Sequence, residues 1–170
     1  MDKLVKQILE GKIFIYPTDT IYGLGCNAED KEAVEKIKQI KERDRDKPLS
    51  IIAPSFKWIK ENCIMDVDLK KYLPGKYTII LHKKNTNFLS HVSNTEFLGI
   101  RIPNCSFSKK VKSARVPFIT TSVNLSGEPF AKSIKEIPKQ IIDKIDIIID
   151  GGDLNGNPST IIKDGKEINR

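Results

Sequence analysis

The chain has 170 residues, 39% of them hydrophobic and 30% charged, which is enough to bury the core of one globular domain. No apolar run has the length of a bilayer span, and the opening "MDKLVKQILEGK" reads as an amphipathic helix, since Lys3, Lys6 and Gln7 interrupt its apolar positions. The net charge of +7 suits an anionic partner and equally suits plain solubility, and the three scattered cysteines fit free thiols in a reducing compartment.

In chain order, residues 2–10 are expected to form a helix and "KIFIY" (12–16) a short strand. There follows "YPTDTIYGLG" (16–25), an extended, turn-prone decapeptide. Thr18, Asp19, Thr20 and Tyr22 offer polar groups that can reach a ligand, and Gly23 and Gly25 permit close backbone approach. Cys26 lies beside it and is expected to line a site without doing chemistry. Cys63 and Cys105 are read as small buried hydrophobes. Asp30 is placed to cap a second helix, with Ala33, Val34, Ile37 and Ile40 at helical spacing, running into "KERDRDKP" and stopping before Pro48.

"LSIIA" (49–53) is a second strand, and a helical stretch is expected from about Phe56 to Tyr72. "YTIIL" (77–81) and "FLGIRIP" (97–103) read as strands, residues 106–115 as a basic helix, and "PFITTS" (117–122) and "DIIID" (146–150) as strands. "STIIK" (159–163) closes the series, paired with a last strand near 166–169. Alternating strands and helices give an α/β class with some antiparallel pairing, hence a mixed sheet.

The familiar nucleotide motifs fail. "GLGCNA" matches G-x-G-x-x-A, but "PTDTIY" separates it from the strand, and the next strand ends in Ala53 and Pro54 instead of an acidic residue. There is no phosphate-binding P-loop and no G-x-S-x-G, and His82 and His91, the only histidines, read as surface or strand-end residues. No zinc spacing occurs.

What remains is a series of polar and basic clusters. "KERDRDKP" carries Lys41, Arg43, Arg45 and Lys47; "IRIP" carries Arg101. "TTSVNLSG" carries Thr120, Thr121, Ser122, Asn124 and Ser126, and "DGGDLNGNPST" carries Asp150, Asn157, Ser159 and Thr160. On a straight helix Lys41 and Arg43 would diverge, so they converge only if the helix ends there. In an open α/β sheet such clusters are expected to meet near strand C-termini.

The order of these clusters resembles the YrdC-like family, the threonylcarbamoyl-AMP synthases. "YPTDTIYGLGCNA" is similar to the family's opening signature, "KERDRDKPL" to its K-x-R…PL segment and "LPGKYT" to its PGP-(L/V)-T turn. "IRIP" resembles its R-x-P, "TTSVNLSGEP" its S-x-N-x-SG and "DGG…NPST" its closing loop. Asp44 and Lys76 stand where the family usually has proline, and Ile52 where some longer relatives have histidine.

The resemblance implies a fold, namely one domain over residues 1–170 without a second C-terminal domain. It would be a twisted mixed parallel/antiparallel sheet flanked by helices, with an open central cleft. It also implies a cytoplasmic nucleotidyltransferase that makes threonylcarbamoyl-AMP and pyrophosphate from L-threonine, bicarbonate and ATP, for threonylcarbamoyladenosine in tRNA. By the same resemblance Lys41 and Arg43 would be catalytic. They would bind ATP with Arg101, Ser122, Asn124 and Ser159, while Thr18, Thr20, Tyr22 and Thr121 would hold threonine and bicarbonate. Mg²⁺ would accompany ATP without a dedicated protein metal site. Expected partners are the downstream proteins that transfer the threonylcarbamoyl group to tRNA, and tRNA itself, bound weakly. The alternative is a non-catalytic module of the same fold that binds double-stranded RNA or tRNA, for which "SKKVKSAR" (108–115) is the best feature. A paralogue with an altered acceptor, related to the carbamoyl-adenylate domain of hydrogenase maturation proteins, is a further rival.

Overall fold

The computed structural model describes residues 1–170. Helix α1 (Lys3–Leu9) starts where Asp2 accepts hydrogen bonds from the backbone N–H groups of Leu4 and Val5, at 2.8 and 3.2 Å. Strands β1 (Phe14–Tyr16) and β2 (Gly23–Gly25) flank the polar part of the decapeptide. Helix α2 (Lys31–Ile40) is capped by Asp30 through Ala33 N–H at 3.0 Å. Beyond it lie β3 (Ser50–Ile52), α3 (Phe56–Asn62), β4 (Tyr77–His82), β5 (Phe97–Arg101), α4 (Ser106–Ala114) and β6 (Phe118–Ser122). The chain closes with α5 (Lys139–Ile142), β7 (Ile147–Ile148), β8 (Thr160–Lys163) and β9 (Lys166–Ile168). No helix is long and apolar enough to cross a membrane.

One mixed sheet runs β7-β1-β2-β6-β3-β5-β4-β8-β9. The pairs β1/β7, β3/β5 and β4/β8 are parallel, and the others are antiparallel. Side chains alternate between its faces. Ile15, Leu24, Ile51, Ile79, Ile100, Ile119 and Ile162 point to one side, where they join Val34 and Ile37 of α2, Ile59 of α3 and Ile141 of α5 in the main core. Phe14, Tyr16, Ile52 and Phe118 point to the other side and meet Val5 and Ile8 of α1 and Phe107 and Val111 of α4. Those two helices cover only part of that second face. The part they leave open carries Ser50, Thr78, Gly99, Arg101 and Thr120, and it becomes the floor of a cleft.

Three local expectations change. The glycines of "GLG" sit in a strand, not a loop. A Cβ on Gly25 would lie 1.8 Å from the carbonyl oxygen of Ile119, so this residue is glycine because β6 passes too close for any side chain. That accounts for the misleading dinucleotide match. The helix expected from Phe56 to Tyr72 stops at Asn62, because Cys63 turns extended and pairs with Lys83 while Ile64 N–H bonds His82 C=O at 2.9 Å. Only a short 3₁₀ turn, Leu69–Lys71, is helical after that. Helix α2 ends at Ile40, eight residues before Pro48 and just ahead of the charged run. Arg43 N–H bonds Lys38 C=O at 2.9 Å and Glu42 N–H bonds Gln39 C=O at 3.1 Å, with Glu42 at φ 52°. This is the Schellman arrangement, with a glutamate in the left-handed position that glycine usually takes.

Candidate active site

The early end of α2 brings Lys41 and Arg43 to one place. A straight helix would splay them, but the left-handed residue between them reverses the chain, and both line a cleft of ≈ 440 Å³. Its floor is a row across the open face of the sheet, where strand register places Ser50 beside Thr120, and Ile79, next to Thr78, beside Ile100, next to Arg101. Thr18, Thr20 and Tyr22, Lys41, Arg43 and Lys47, Asn124, Ser126 and Phe130, and Pro158 with Ser159 form its walls. The expectation of a site at strand C-termini therefore holds for Arg101 and Ser122, which end β5 and β6. Ser50, Thr78 and Ser159 lie at the opposite, N-terminal ends of theirs, because antiparallel neighbours mix both kinds of strand end in one row.

Every residue expected at the site lines this cleft: Thr18, Thr20, Tyr22, Lys41, Arg43, Arg101, Thr121, Ser122, Asn124 and Ser159. Lys47 and Arg170 join them, so the lining holds five cationic side chains and no carboxylate. Such a surface focuses positive potential on an anion.

The groups differ in what they have free. Lys41 is 1% exposed, and its Nζ donates to Ser122 C=O at 2.6 Å, Asn124 Oδ1 at 2.7 Å and Ser122 Oγ at 3.3 Å. Burial, with Arg43 and Lys47 close by, lowers its pKa to about 7. Arg43 donates from Nη2 to Pro48 C=O at 2.6 Å and from Nε to Lys47 C=O at 3.4 Å, which leaves Nη1 without a protein partner. Arg101 is held by Asp19 at 2.6 Å, Thr20 Oγ1 at 3.1 Å and Gly75 C=O at 3.3 Å, and its buried Nε has no partner. Asp19, read from sequence as a group that could reach a ligand, instead accepts from Arg101 and from Asn104 N–H at 2.8 Å.

Tyr22 works as a buckle. Its hydroxyl donates to Gly152 C=O at 2.6 Å and accepts from Gly151 N–H at 2.9 Å, fastening the 150–158 loop across the decapeptide. A Cβ on Gly156 would come within 2.3 Å of Thr20 C=O, so that loop lies directly on the cleft wall. Thr18 Oγ1 donates to Ile21 C=O at 2.6 Å and contacts Thr20 Oγ1 at 3.0 Å.

Cys26 is fully buried in the main core and is not part of the lining, contrary to expectation, and burial pushes its thiol up. Cys63 is buried as expected. Cys105 is only half-buried, at the start of α4. His82 ends β4 against the ring of Phe97, and His91 Nε2 lies 2.6 Å from Ala28 C=O.

Sequence reasoning missed Arg170, Ser50, Thr78 and Phe130. Arg170 follows β9 and donates to Ser159 C=O at 2.9 Å and to its Oγ at 2.8 Å. Thr78 Oγ1 lies 2.6 Å from the same Oγ. The available signal was parity: Thr78 and Ser50 each sit one residue from a buried isoleucine, on the strand face that carries no apolar side chain at that point.

A family model described as Telomere recombination, covering the Sua5, YciO and YrdC proteins, matches residues 6–170. The chain belongs to this Sua5/YciO/YrdC family. Among curated family members, a putative threonylcarbamoyl-AMP synthase of Methanocaldococcus jannaschii is 39% identical over 168 residues, covering 96% of this chain and 79% of that one. The threonylcarbamoyl-AMP synthase of Pyrococcus abyssi is 34% identical over 164 residues, 91% of this chain, and the match spans only 48% of its length. Of solved family structures, P. abyssi Sua5 complexed with L-threonine superposes with a TM-score of 0.81 at 30% identity, covering 94% of this chain and 49% of that one. Escherichia coli YciO superposes with a TM-score of 0.78 at 29% identity, covering 95% and 82%. The mixed sheet flanked by helices is thus the fold of the Sua5/YciO/YrdC family.

Proposed function

We propose that this chain is a threonylcarbamoyl-AMP synthase, a nucleotidyltransferase that converts L-threonine, bicarbonate and ATP to threonylcarbamoyl-AMP, pyrophosphate and water. The observation that carries this reading is the cleft lining, five cations without a carboxylate beside a dense set of hydroxyls, in a chain whose relatives include named threonylcarbamoyl-AMP synthases and a structure bound to L-threonine. The volume lies in the usual range for a small-molecule site.

The threonine amine and bicarbonate give a carbamate with loss of water. A carbamate oxygen then forms a bond to the α-phosphorus, and the bond from that phosphorus to pyrophosphate breaks. The nucleophile comes from the substrate, so the protein's task is alignment and charge neutralisation. Arg43 and Arg101 are positioned to meet phosphate oxygens, and Lys41 lies one hydrogen bond behind them, holding Ser122 and Asn124 at the wall. Thr18, Thr20 and Thr121 supply the hydroxyl-rich end suited to threonine and bicarbonate. Tyr22 supports that end through the 150–158 loop instead of with a free hydroxyl. Magnesium would accompany the ATP substrate, bridging its phosphates. The product's fate would be tRNA modification by downstream transfer proteins.

The test is pyrophosphate release with each substrate omitted in turn. Release should require ATP, threonine and bicarbonate together. Equal turnover without threonine would replace this reading with another acceptor for the same chemistry.

A further inference from the structure

The loop that carries three of the cleft's five cations, residues 41–48, has no regular secondary structure of its own. It is short of internal bonds: Lys47 N–H to Asp44 C=O at 3.1 Å and Asp46 N–H to Asp44 Oδ1 at 2.9 Å are the principal ones beyond the contacts of Arg43. Yet Arg43 must hold its guanidinium within a few tenths of an ångström if it is to meet a phosphate. Something outside the loop has to fix it.

Two buried lysines lie behind it. Lys38 is on α2, four residues after Val34 and therefore on the stripe that faces the core, and it is only 8% exposed. Its Nζ donates to the carbonyls of Arg45 at 3.0 Å and His91 at 2.8 Å. Lys83 is 3% exposed, and its Nζ donates to the carbonyls of Thr86, Phe88 and Ser93 at 3.1, 2.9 and 2.7 Å, gathering the 84–95 loop around one ammonium. Neither ammonium forms an ion pair. Both bind backbone carbonyls alone, so each is placed to fix chain and not to answer a carboxylate. The two loops are joined at further points: Leu49 N–H donates to Val92 C=O at 3.0 Å and Asn94 Nδ2 to Asp46 Oδ1 at 3.2 Å.

We propose that Lys38 is a positioning residue for the nucleotide site, pinning the cation loop 41–48 to the loop that Lys83 has already organised, and so setting where Arg43 stands. The connection is continuous. Lys83 shapes residues 84–95, His91 of that loop shares Lys38 with Arg45, and Arg45 is two residues from Arg43. Lys38 lines none of the cleft. Removing it therefore acts on ATP through loop geometry, while the hydroxyl end that faces threonine, on the other wall, keeps its own bonds.

This inference rests on the proposed synthase activity for one of its two readouts. The first readout is hydrogen exchange, which needs no activity. In the wild type, the amides of Lys47 and Leu49 should exchange much more slowly than those of an exposed loop. In Lys38→Met, which keeps the aliphatic stem, they should exchange at least tenfold faster while α1 is unchanged, since a hydrogen bond to a charged donor is worth about one to two decades in an equilibrium constant. The second readout is kinetic: the KM for ATP should rise about tenfold in Lys38→Met with the KM for threonine within about twofold, and Lys38→Arg, which can fork to both carbonyls, should recover most of it. The surface variant Lys84→Ala, which loses an exposed lysine–carbonyl bond to Lys60, should change neither readout. If the wild-type amides are unprotected, or if folded Lys38→Met leaves exchange and the KM for ATP unchanged, the proposal is wrong. Should Lys38→Met fail to fold, the wild-type exchange rates and the Lys38→Arg kinetics decide. A wild type that exchanges as expected but releases no pyrophosphate would instead overturn the synthase reading and leave the brace standing.

Discussion

Raising the pH from 7 to 8.5 should loosen the cleft's hold on ATP, because Lys41 changes charge in that interval. Its ammonium is buried, has two cations for neighbours and contacts only neutral acceptors, which lowers its pKa to about 7. In the ligand-free protein half the molecules are then neutral at this position near pH 7. A phosphate charge one hydrogen bond beyond Ser122 and Asn124, about 6 Å from Nζ, is worth about 3 kcal/mol at a near-surface effective dielectric, or about two pKa units, so bound nucleotide restores the ammonium. Binding above pH 7 thus takes up a proton. If only the charged form is competent, the charged fraction falls from about one half at pH 7 to about 3% at pH 8.5, and the apparent Kd rises about fifteenfold.

The assay is titration calorimetry with ATP and magnesium, without threonine, at pH 7.0, 7.75 and 8.5, in two buffers of different ionisation enthalpy so that the proton is counted. Lys41→Met should bind more weakly at pH 7 and show no such pH dependence. Stability of the ligand-free protein has the opposite sign. The unfolded chain keeps its lysine protonated to about pH 10.5, so between about pH 7 and that value it binds more protons than the folded one, and this group makes the protein more stable as pH rises. A wild-type Kd that is flat across the range, or a slope that persists in Lys41→Met, would refute the reasoning and leave Lys41 as a permanently charged strut for Ser122 and Asn124.

Arg43→Ala should lower kcat by roughly 10²–10³, as expected for loss of a preorganised donor, and Arg43→Lys should remain impaired because it loses the planar fork, while Glu42→Ala, at an exposed position, keeps most of the rate; equal turnover of Arg43→Ala and Glu42→Ala would reduce the segment to a charged helix end. Gly25→Ala should destabilise the fold by more than about 3 kcal/mol, read as a denaturation midpoint, since its Cβ would sit 1.8 Å from Ile119 C=O and strands β2 and β6 would have to part; a near-neutral change would mean that the sheet yields there. Cys26→Ser should keep substantial turnover at some cost in stability, because the thiol lies in the core and away from the cleft; complete loss of rate in a folded variant would reveal a thiol function.

Eight of the nine strands and helices α1, α2 and α4 were legible, whereas β2, whose glycines read as a loop, and the one-turn α5 were not. Val34 and Ile37 mark α2, and the isoleucines of β3, β4, β6 and β8 mark the main core. Element ends were less legible, since tertiary partners set them. Cys63 leaves the helix to pair with Lys83, an event that the helical spacing of residues 56–62 does not announce. The C-terminus of α2 is the instructive case. Its stop signal is usually glycine, but here Glu42 takes the left-handed position, and the charged run beyond it reads as more helix. The site residues were found by their chemical types in clusters. Those missed, Thr78, Ser50 and Arg170, stand singly among apolar or exposed neighbours; strand pairing brings Thr78 and Ser50 to the floor, and Arg170 joins through its bonds to Ser159.

The same pairing explains why a cleft exists. A sheet of nine strands has two faces, and this chain covers the centre of one of them with α2, α3 and α5 but gives the other only α1 and α4. On the second face the aromatic cluster of Phe14, Tyr16, Phe107 and Phe118 stacks under those two helices. From there the face turns polar within two residues along a strand: Phe118 gives way to Thr120, and Ile52 faces the same way as Ser50. An uncovered apolar floor would aggregate, and a polar floor under a helix would leave hydroxyls without partners. Threonines, serines and one clamped arginine avoid both costs, because water or a polar ligand can satisfy them. The site is therefore the part of the sheet that the helices do not reach, and its cations come from the segments that border the opening: the loop after α2, the end of β5 and the second residue after β9.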